Sequence, residues 1–327
     1  MNSIPNATAK ASVLVGSAGR VVQALALVLV ALVATACPSP VVAQDLSPRA
    51  YWPAPVGTRV LVLGYQYLHG DVLTDASLPV YGVQSKIHAG LLAYVQTVNF
   101  LGRTTNVQVE LPYSSGTTRG QLFDMPVRRD FSGLNDAAIS VSVNLYGAPT
   151  MTPADFQQLR ANPGPIVGAS LKLVAPSGRY DDNRLINVGA NRWSTRLELG
   201  VIAPLKPRWL LEFDAGAWLF GDNPDFVLGK REQAPVYTIQ AHLVYRIRPG
   251  FWMSLDGNWY RGGRQTIAGE EKDDKQHNTR LGATAVFPFA RRHAIKVGYS
   301  FGVRTRTGSD YNQLLVSYQR LLGVKDR

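Results

Sequence analysis

The sequence predicts an all-β protein: a closed antiparallel transmembrane β-barrel of about twelve strands, with one short periplasmic helix. Three observations point to it. Segment after segment alternates apolar and polar residues at period two, which puts one class of side chain on each face of a strand. These segments run about 10–13 residues, enough to cross a bilayer at a tilt, whereas sandwich strands average about 5–6. The connections alternate between short turns and long loops rich in Gly, Asp, Asn and Arg. A soluble secreted β-sandwich is the alternative, but lipid demands that every backbone group be paired, and strands achieve that only in a closed barrel.

Residues 1–43 read as a secretory signal peptide. Lys10 and Arg20 are the only charges before Asp45, a largely apolar stretch spans residues 21–36, and Val41-Val42-Ala43 offers small residues for cleavage after Ala43. A retained membrane anchor and lipidation at Cys37 are the alternatives; the large aliphatic residue usual three positions before a lipidated Cys is missing. No later segment is apolar enough for a transmembrane helix, so the rest of the chain, 44–327, is expected to be the barrel.

Twelve strands are expected near 58–69, 85–100, 103–113, 134–146, 165–176, 193–204, 208–220, 235–247, 250–261, 278–288, 293–304 and 311–322. An even number places both termini on the periplasmic side. Asp256-Gly257, a dipeptide normal in hairpin turns, lies inside the ninth. Loops are expected near 70–84, 114–133, 177–192, 221–234 and 262–277. One connection, 147–164, is long where a short turn is due. Its Thr152-Pro153-Ala154-Asp155 reads as an N-cap, a Pro at the first helical position and an acidic third position. Phe156 and Leu159 then share one face of a short helix lying against the barrel's end. Trp193, Trp209, Trp218, Trp252 and Trp259 fall near strand ends, which reads as two aromatic girdles at the headgroup level.

In each strand the apolar parity faces lipid. Leu197 and Leu199, Leu211 and Phe213, and Ile239 and Leu243 are examples. The polar parity faces the lumen and is expected to place Glu110, Lys172, Arg196, Glu198, Glu212, Asp214, His242, Arg246, Asp256, Arg280, Lys296 and Arg304 there. Charges of both signs in a narrow barrel must pair or stay hydrated. They either hold the interior together or line a permeation path and set its selectivity. Arg196 and Glu198 are expected within reach of Glu212 and Asp214 on the neighbouring strand.

The formal net charge is +11, but the basic residues are scattered, which argues against nucleic acid as a partner. On the short-turn side Arg103, Arg160, Lys206, Arg208, Arg248, Arg291 and Arg292 stand against Asp155 alone, a rim suited to anionic headgroups of the inner leaflet. The chain's one Cys excludes an intrachain disulfide or a Cys-based metal cluster, and no cofactor or metal is expected. Gly298-Tyr299-Ser300-Phe301-Gly302 matches a nucleophile-elbow pattern literally, but Ser300 sits mid-strand with no helix following. An outer-membrane hydrolase would need a Ser–His pair on the lipid-facing rim, and His242 and Ser300 share the inner parity. The acidic runs 181–183 and 270–274 lack EF-hand spacing and read as solvated loops.

Three stretches resemble a known family: Asn144-Leu145-Tyr146-Gly147-Ala148-Pro149-Thr150-Met151 running into Thr152–Phe156, Val174-Ala175-Pro176-Ser177-Gly178-Arg179-Tyr180, and Asn187-Val188-Gly189-Ala190-Asn191-Arg192-Trp193-Ser194 leading to Glu198-Leu199-Gly200. In order and spacing they are similar to the outer-membrane transporter family associated with the meta-cleavage pathway of phenol degradation. The resemblance implies uptake of a small, aromatic solute across the outer membrane and transfers no catalytic or substrate residues. A structural or adhesive barrel with a plugged lumen is the second function to weigh. An outer-membrane hydrolase is the third.

Overall fold

The structure, a computed structural model, describes residues 47–72, 80–122, 125–184, 186–307 and 310–323. The expected signal peptide and Cys37 lie outside the described residues. In chain order the elements are β1 (Arg59–Asp71), β2 (Val80–Phe100), β3 (Arg103–Leu122), β4 (Met125–Leu134), β5 (Ala138–Tyr146), α1 (Pro153–Ala161), β6 (Ile166–Val174), β7 (Ser194–Lys206), β8 (Trp209–Phe220), β9 (Arg231–Gln233), β10 (Val236–Arg248), β11 (Phe251–Gly262), β12 (Gln265–Ile267), β13 (Glu270–Glu271), β14 (Gln276–Ala290), β15 (His293–Arg304) and β16 (Asp310–Leu322).

Twelve of the described strands close an antiparallel barrel, because β1 pairs β16 from Arg59–Leu322 to Asp71–Asp310 and β2 pairs both β1 and β3. The lower half of β3 pairs β5 and its upper half pairs β4, so β4 and β5 together make the fourth wall. Around the ring each of the twelve strands is paired on both sides, so the ladder satisfies the backbone groups that would face hydrocarbon. The outer face carries a band of exposed apolar side chains, among them Leu63, Leu111, Ile139, Leu199, Leu255, Leu281 and Phe301.

The structure departs from the sequence reading at three places and keeps it at a fourth. The stretch 114–133, read as a loop, is a β3–β4 hairpin that continues the wall past the membrane. Its Ser, Thr, Gly and Arg residues carry no apolar stripe because this part meets water. As expected of the ninth strand, Asp256-Gly257 stays inside β11, paired on both sides to β10 and β14, since two neighbouring ladders outweigh a local turn preference. Trp218 and Trp252 have inner parity; Trp252 is buried in the barrel's core, and neither belongs to a girdle. Trp193 and Trp209 are the exposed pair, with Trp209 stacked at a tilt on Tyr245 at 4.7 Å. Finally, one extra residue in β15 sets Arg280 opposite Gly302 but Thr279 opposite Arg304. That bulge turns Arg304, exposed at the strand end, onto the outer face and removes it from the lumen.

The long fifth connection holds the expected helix. Thr152 caps α1 in a full capping box, with Pro153 at the first turn and the Asp155 carboxylate accepting from the Thr152 amide at 2.9 Å and hydroxyl at 2.7 Å. Phe156 and Leu159 pack against the periplasmic end of the barrel's core. At the opposite end, β9, β12 and β13 form a small sheet over Phe226 and Ile267.

Candidate functional site

The lumen is built from the inner parity of the strands and from a segment that no periodicity marked. Residues 47–58, ahead of β1, enter the barrel from the periplasmic end. Inner-facing positions there are apolar: Ile166, Ile202, Leu210, Val244, Trp252 and Val286 make a core with Ala148, Met151 and Tyr51. Tyr51 is 2% exposed. Its hydroxyl donates toward Glu198 Oε1 and Ser170 Oγ, each at 3.1 Å. The Asn144 amide donates to the Tyr51 carbonyl at 3.1 Å, and the Arg49 amide to Glu212 Oε2 at 2.6 Å. Val56 donates to the Met151 carbonyl at 3.0 Å. The stretch Asn144–Met151 therefore docks the entering segment. Gly147, at φ +79°, makes its turn where any Cβ would overlap the Pro165 carbonyl.

Above this core the inner face is polar. Arg196 pairs with Glu198 two residues along its own strand, and Gln240 Nε2 donates to Glu198 at 3.3 Å. The register partner of Arg196 on β8 is Trp218, over whose ring its guanidinium lies at 6.0 Å. Glu212 and Asp214 instead surround His242, which is register partner to both Glu212 and Asp256. His242 Nδ1 meets Asp256 Oδ1 at 2.8 Å, its Nε2 lies 3.8 Å from Asp214, and Thr284 donates to Asp256 Oδ2 at 2.7 Å. Lys172 pairs with Glu110 at 2.6 Å across the intervening β5. Arg280 donates to Ser300 Oγ and the Tyr311 carbonyl, each at 2.9 Å, and lies 3.9 Å from the Tyr311 ring centre. Ser300 is thus held by an arginine and, at 3.4 Å, by Gln313, in the middle of a strand. Such pairs satisfy one another in a place where a lone charge is costly.

Arg246 and Lys296 sit lower. Both line a periplasmic vestibule of about 970 Å³ together with Arg49, Trp52, Arg160, Arg208, Arg248, Trp252, Arg291 and Arg292. Five of the cations read from the sequence as a lipid-facing rim, Arg160, Arg208, Arg248, Arg291 and Arg292, thus line an inner chamber.

At the extracellular end the other two resembling stretches meet. Asp136 accepts from the Gly178 amide at 2.8 Å and the Ala190 amide at 2.7 Å, and Asn223 donates to the Tyr180 hydroxyl at 2.9 Å. These residues order the loops at the mouth. The acidic runs are paired: Asp181 with Arg184, Glu270 with Lys272, Glu271 with Arg264.

The sequence reading missed Tyr51 and its neighbours. The one available signal was Tyr51-Trp52, two aromatics in a Pro-rich stretch with no strand period of its own.

A family model with the description "Putative MetA-pathway of phenol degradation" matches residues 62–318. No curated protein matches the chain. Among solved structures the chain is similar to the COG4313 outer membrane channel from Pseudomonas putida F1, with a TM-score of 0.69 and 22% identity over 85% of this chain and 100% of that one. It also aligns with the KdgM porin (TM-score 0.43, 9% identity, 79% and 98% of the two chains) and with the toluene transporter TodX of Pseudomonas putida (TM-score 0.42, 11% identity, 87% and 96%). These neighbours are channels and porins. The first of them has the fold described above, that of an outer-membrane barrel.

Proposed function

Because this chain belongs to the family described by its phenol-degradation pathway, we propose that it is a non-enzymatic outer-membrane channel that admits small aromatic solutes. The segment around Tyr51 sets its constriction. The observation that carries this reading is the arrangement along one axis. Ordered loops stand at the extracellular mouth. A polar lumen with paired charges follows, then the Tyr51 segment at mid-barrel, then a water-accessible vestibule of about 970 Å³ at the periplasmic end. A barrel of this strand number lies between side-chain-filled small barrels and wide porins, so one inserted segment is enough to decide what passes. The inward ionisable groups Glu110, Lys172, Arg196, Glu198, Glu212, Asp214, His242, Asp256 and Arg280 then give the path its polarity.

Liposome swelling tests this. Proteoliposomes of the purified protein should swell faster in isosmotic phenolic solutes than in sugars of similar mass. Equal rates for both solute classes would contradict the aromatic preference. The pairing of opposite charges across the lumen favours a second reading, a structural barrel whose segment never leaves, for which swelling would be absent with every solute.

A further inference from the structure

The vestibule has the wrong charge for a neutral phenol. Its described lining holds Arg49, Arg160, Arg208, Arg246, Arg248 and other cations, and no Asp or Glu. Four of these guanidinium groups have no carboxylate partner among the described residues. Arg246 donates only to main-chain oxygens, of Arg160 at 2.9 Å and Pro207 at 2.6 Å. Arg160 lies over the Phe156 ring at 5.4 Å, and Arg248 over Phe251 at 5.9 Å. Arg208 is exposed to the chamber's solvent. Glu212 reaches only the upper edge, through the Arg49 amide. Burial also holds the Arg160 guanidinium below its ordinary pKa. Like charges gathered in a concave chamber repel one another and focus a positive potential on its solvent. The forked guanidinium is matched in geometry to a carboxylate. Trp52 and Trp252, with Arg49 at 4.2 and 5.3 Å from their ring centres, give the chamber apolar walls beside its cations.

We infer that this vestibule is a binding site for the carboxylate of a small organic acid, and that the channel is anion-selective. The site stands on the chamber's own residues. Only its use as a step in transport rests on the channel reading.

The full protein in phosphatidylcholine bilayers under a KCl gradient tests it, at about 0.1 M salt because screening at 1 M shortens the charge's reach to about 3 Å. We expect a reversal potential showing several-fold preference for chloride. Sodium benzoate should reduce the chloride current at lower concentration than benzyl alcohol, its neutral counterpart. Substituting Arg208→Gln with Arg248→Gln should move the selectivity toward unity and weaken the benzoate effect. Cation selectivity, or equal action of benzoate and benzyl alcohol, would overturn the inference. If no current flows at all the channel reading fails, and the site is read separately by calorimetric titration of benzoate into the protein in nonionic detergent. Heat lost in the double variant supports the site. No benzoate heat, with variant-sensitive heat from phosphatidylglycerol instead, assigns the chamber to lipid headgroups and overturns it.

Discussion

Gly168 and Gly200 are register partners on β6 and β7, and a Cβ on either would overlap the ring of Tyr51. Two adjacent strands thus leave a side-chain-sized vacancy on the inner wall, and the entering segment fills it. Gly in a strand weakens it, so a facing pair marks a close approach from elsewhere in the chain.

Gly200→Ala should therefore lift the segment while leaving the barrel closed. The new methyl would also meet Asp214 Oδ1, and overpacking of this kind costs about 1–3 kcal/mol. Arg49 offers a direct readout. Trypsin should cleave after Arg49 slowly in the parent protein and markedly faster in Gly200→Ala, with the fragments identified by mass spectrometry. Equal rates would show that the glycine pair does not hold the segment.

Glu198 carries both the Arg196 charge and the Tyr51 hydroxyl. Glu198→Gln removes the carboxylate from a buried ion pair, a change that costs about 3–5 kcal/mol. Arg128–Asp130, with both side chains more than half exposed, is the contrast. Arg128→Ala there should cost at most about 1 kcal/mol. Urea unfolding in detergent, or the temperature at which the folded band is lost on a gel, should rank the two variants in that order.

The outer face has a different tolerance. Leu255 is 66% exposed near the middle of β11 and belongs to the lipid-facing band. Leu255→Arg should lower the stability of the inserted barrel by about 2–4 kcal/mol, whereas Leu255→Ala should leave insertion intact. Folding yield into phosphatidylcholine vesicles measures both, and an arginine variant that inserts as well as the parent would remove this face from lipid.

The helix that braces the periplasmic end has a pH-dependent cap. The Thr152 side chain and amide hold the Asp155 carboxyl below its ordinary range. A carboxyl with a depressed folded pKa stabilises above its unfolded value, about 3.9. That contribution disappears as pH falls through the depressed value. Exchange of the α1 amides should accelerate on acidification beyond the intrinsic chemistry, and Asp155→Asn should abolish the extra dependence.

Much of the barrel was legible because a lipid-facing strand repeats one simple demand every second residue. The parity of Leu197, Leu199, Leu211 and Ile239 gave wall and lumen directly, and the Thr152–Asp155 cap gave the helix. The rest depends on contacts that no local pattern carries. Tyr51 is placed by two glycines more than a hundred residues away. Above the bilayer the outward residues of β3 and β4 meet water, so their alternation fades and a hairpin reads as a loop. Arg304 lost its parity to a single extra residue. Trp218 and Trp252 were read by distance from strand ends, although parity decides which side of the wall a ring occupies. The vestibule is likewise a property of assembly, since its arginines come from the entering segment, α1, the end of β10 and separate turns.

Single-channel conductance of the parent protein and of Tyr51→Ala, in the same planar bilayer, bears most directly on the proposed channel. A small, steady current that rises several-fold when the ring is removed is the expected result. Silence from both proteins, with the barrel folded and inserted, would mean that the lumen is not a path.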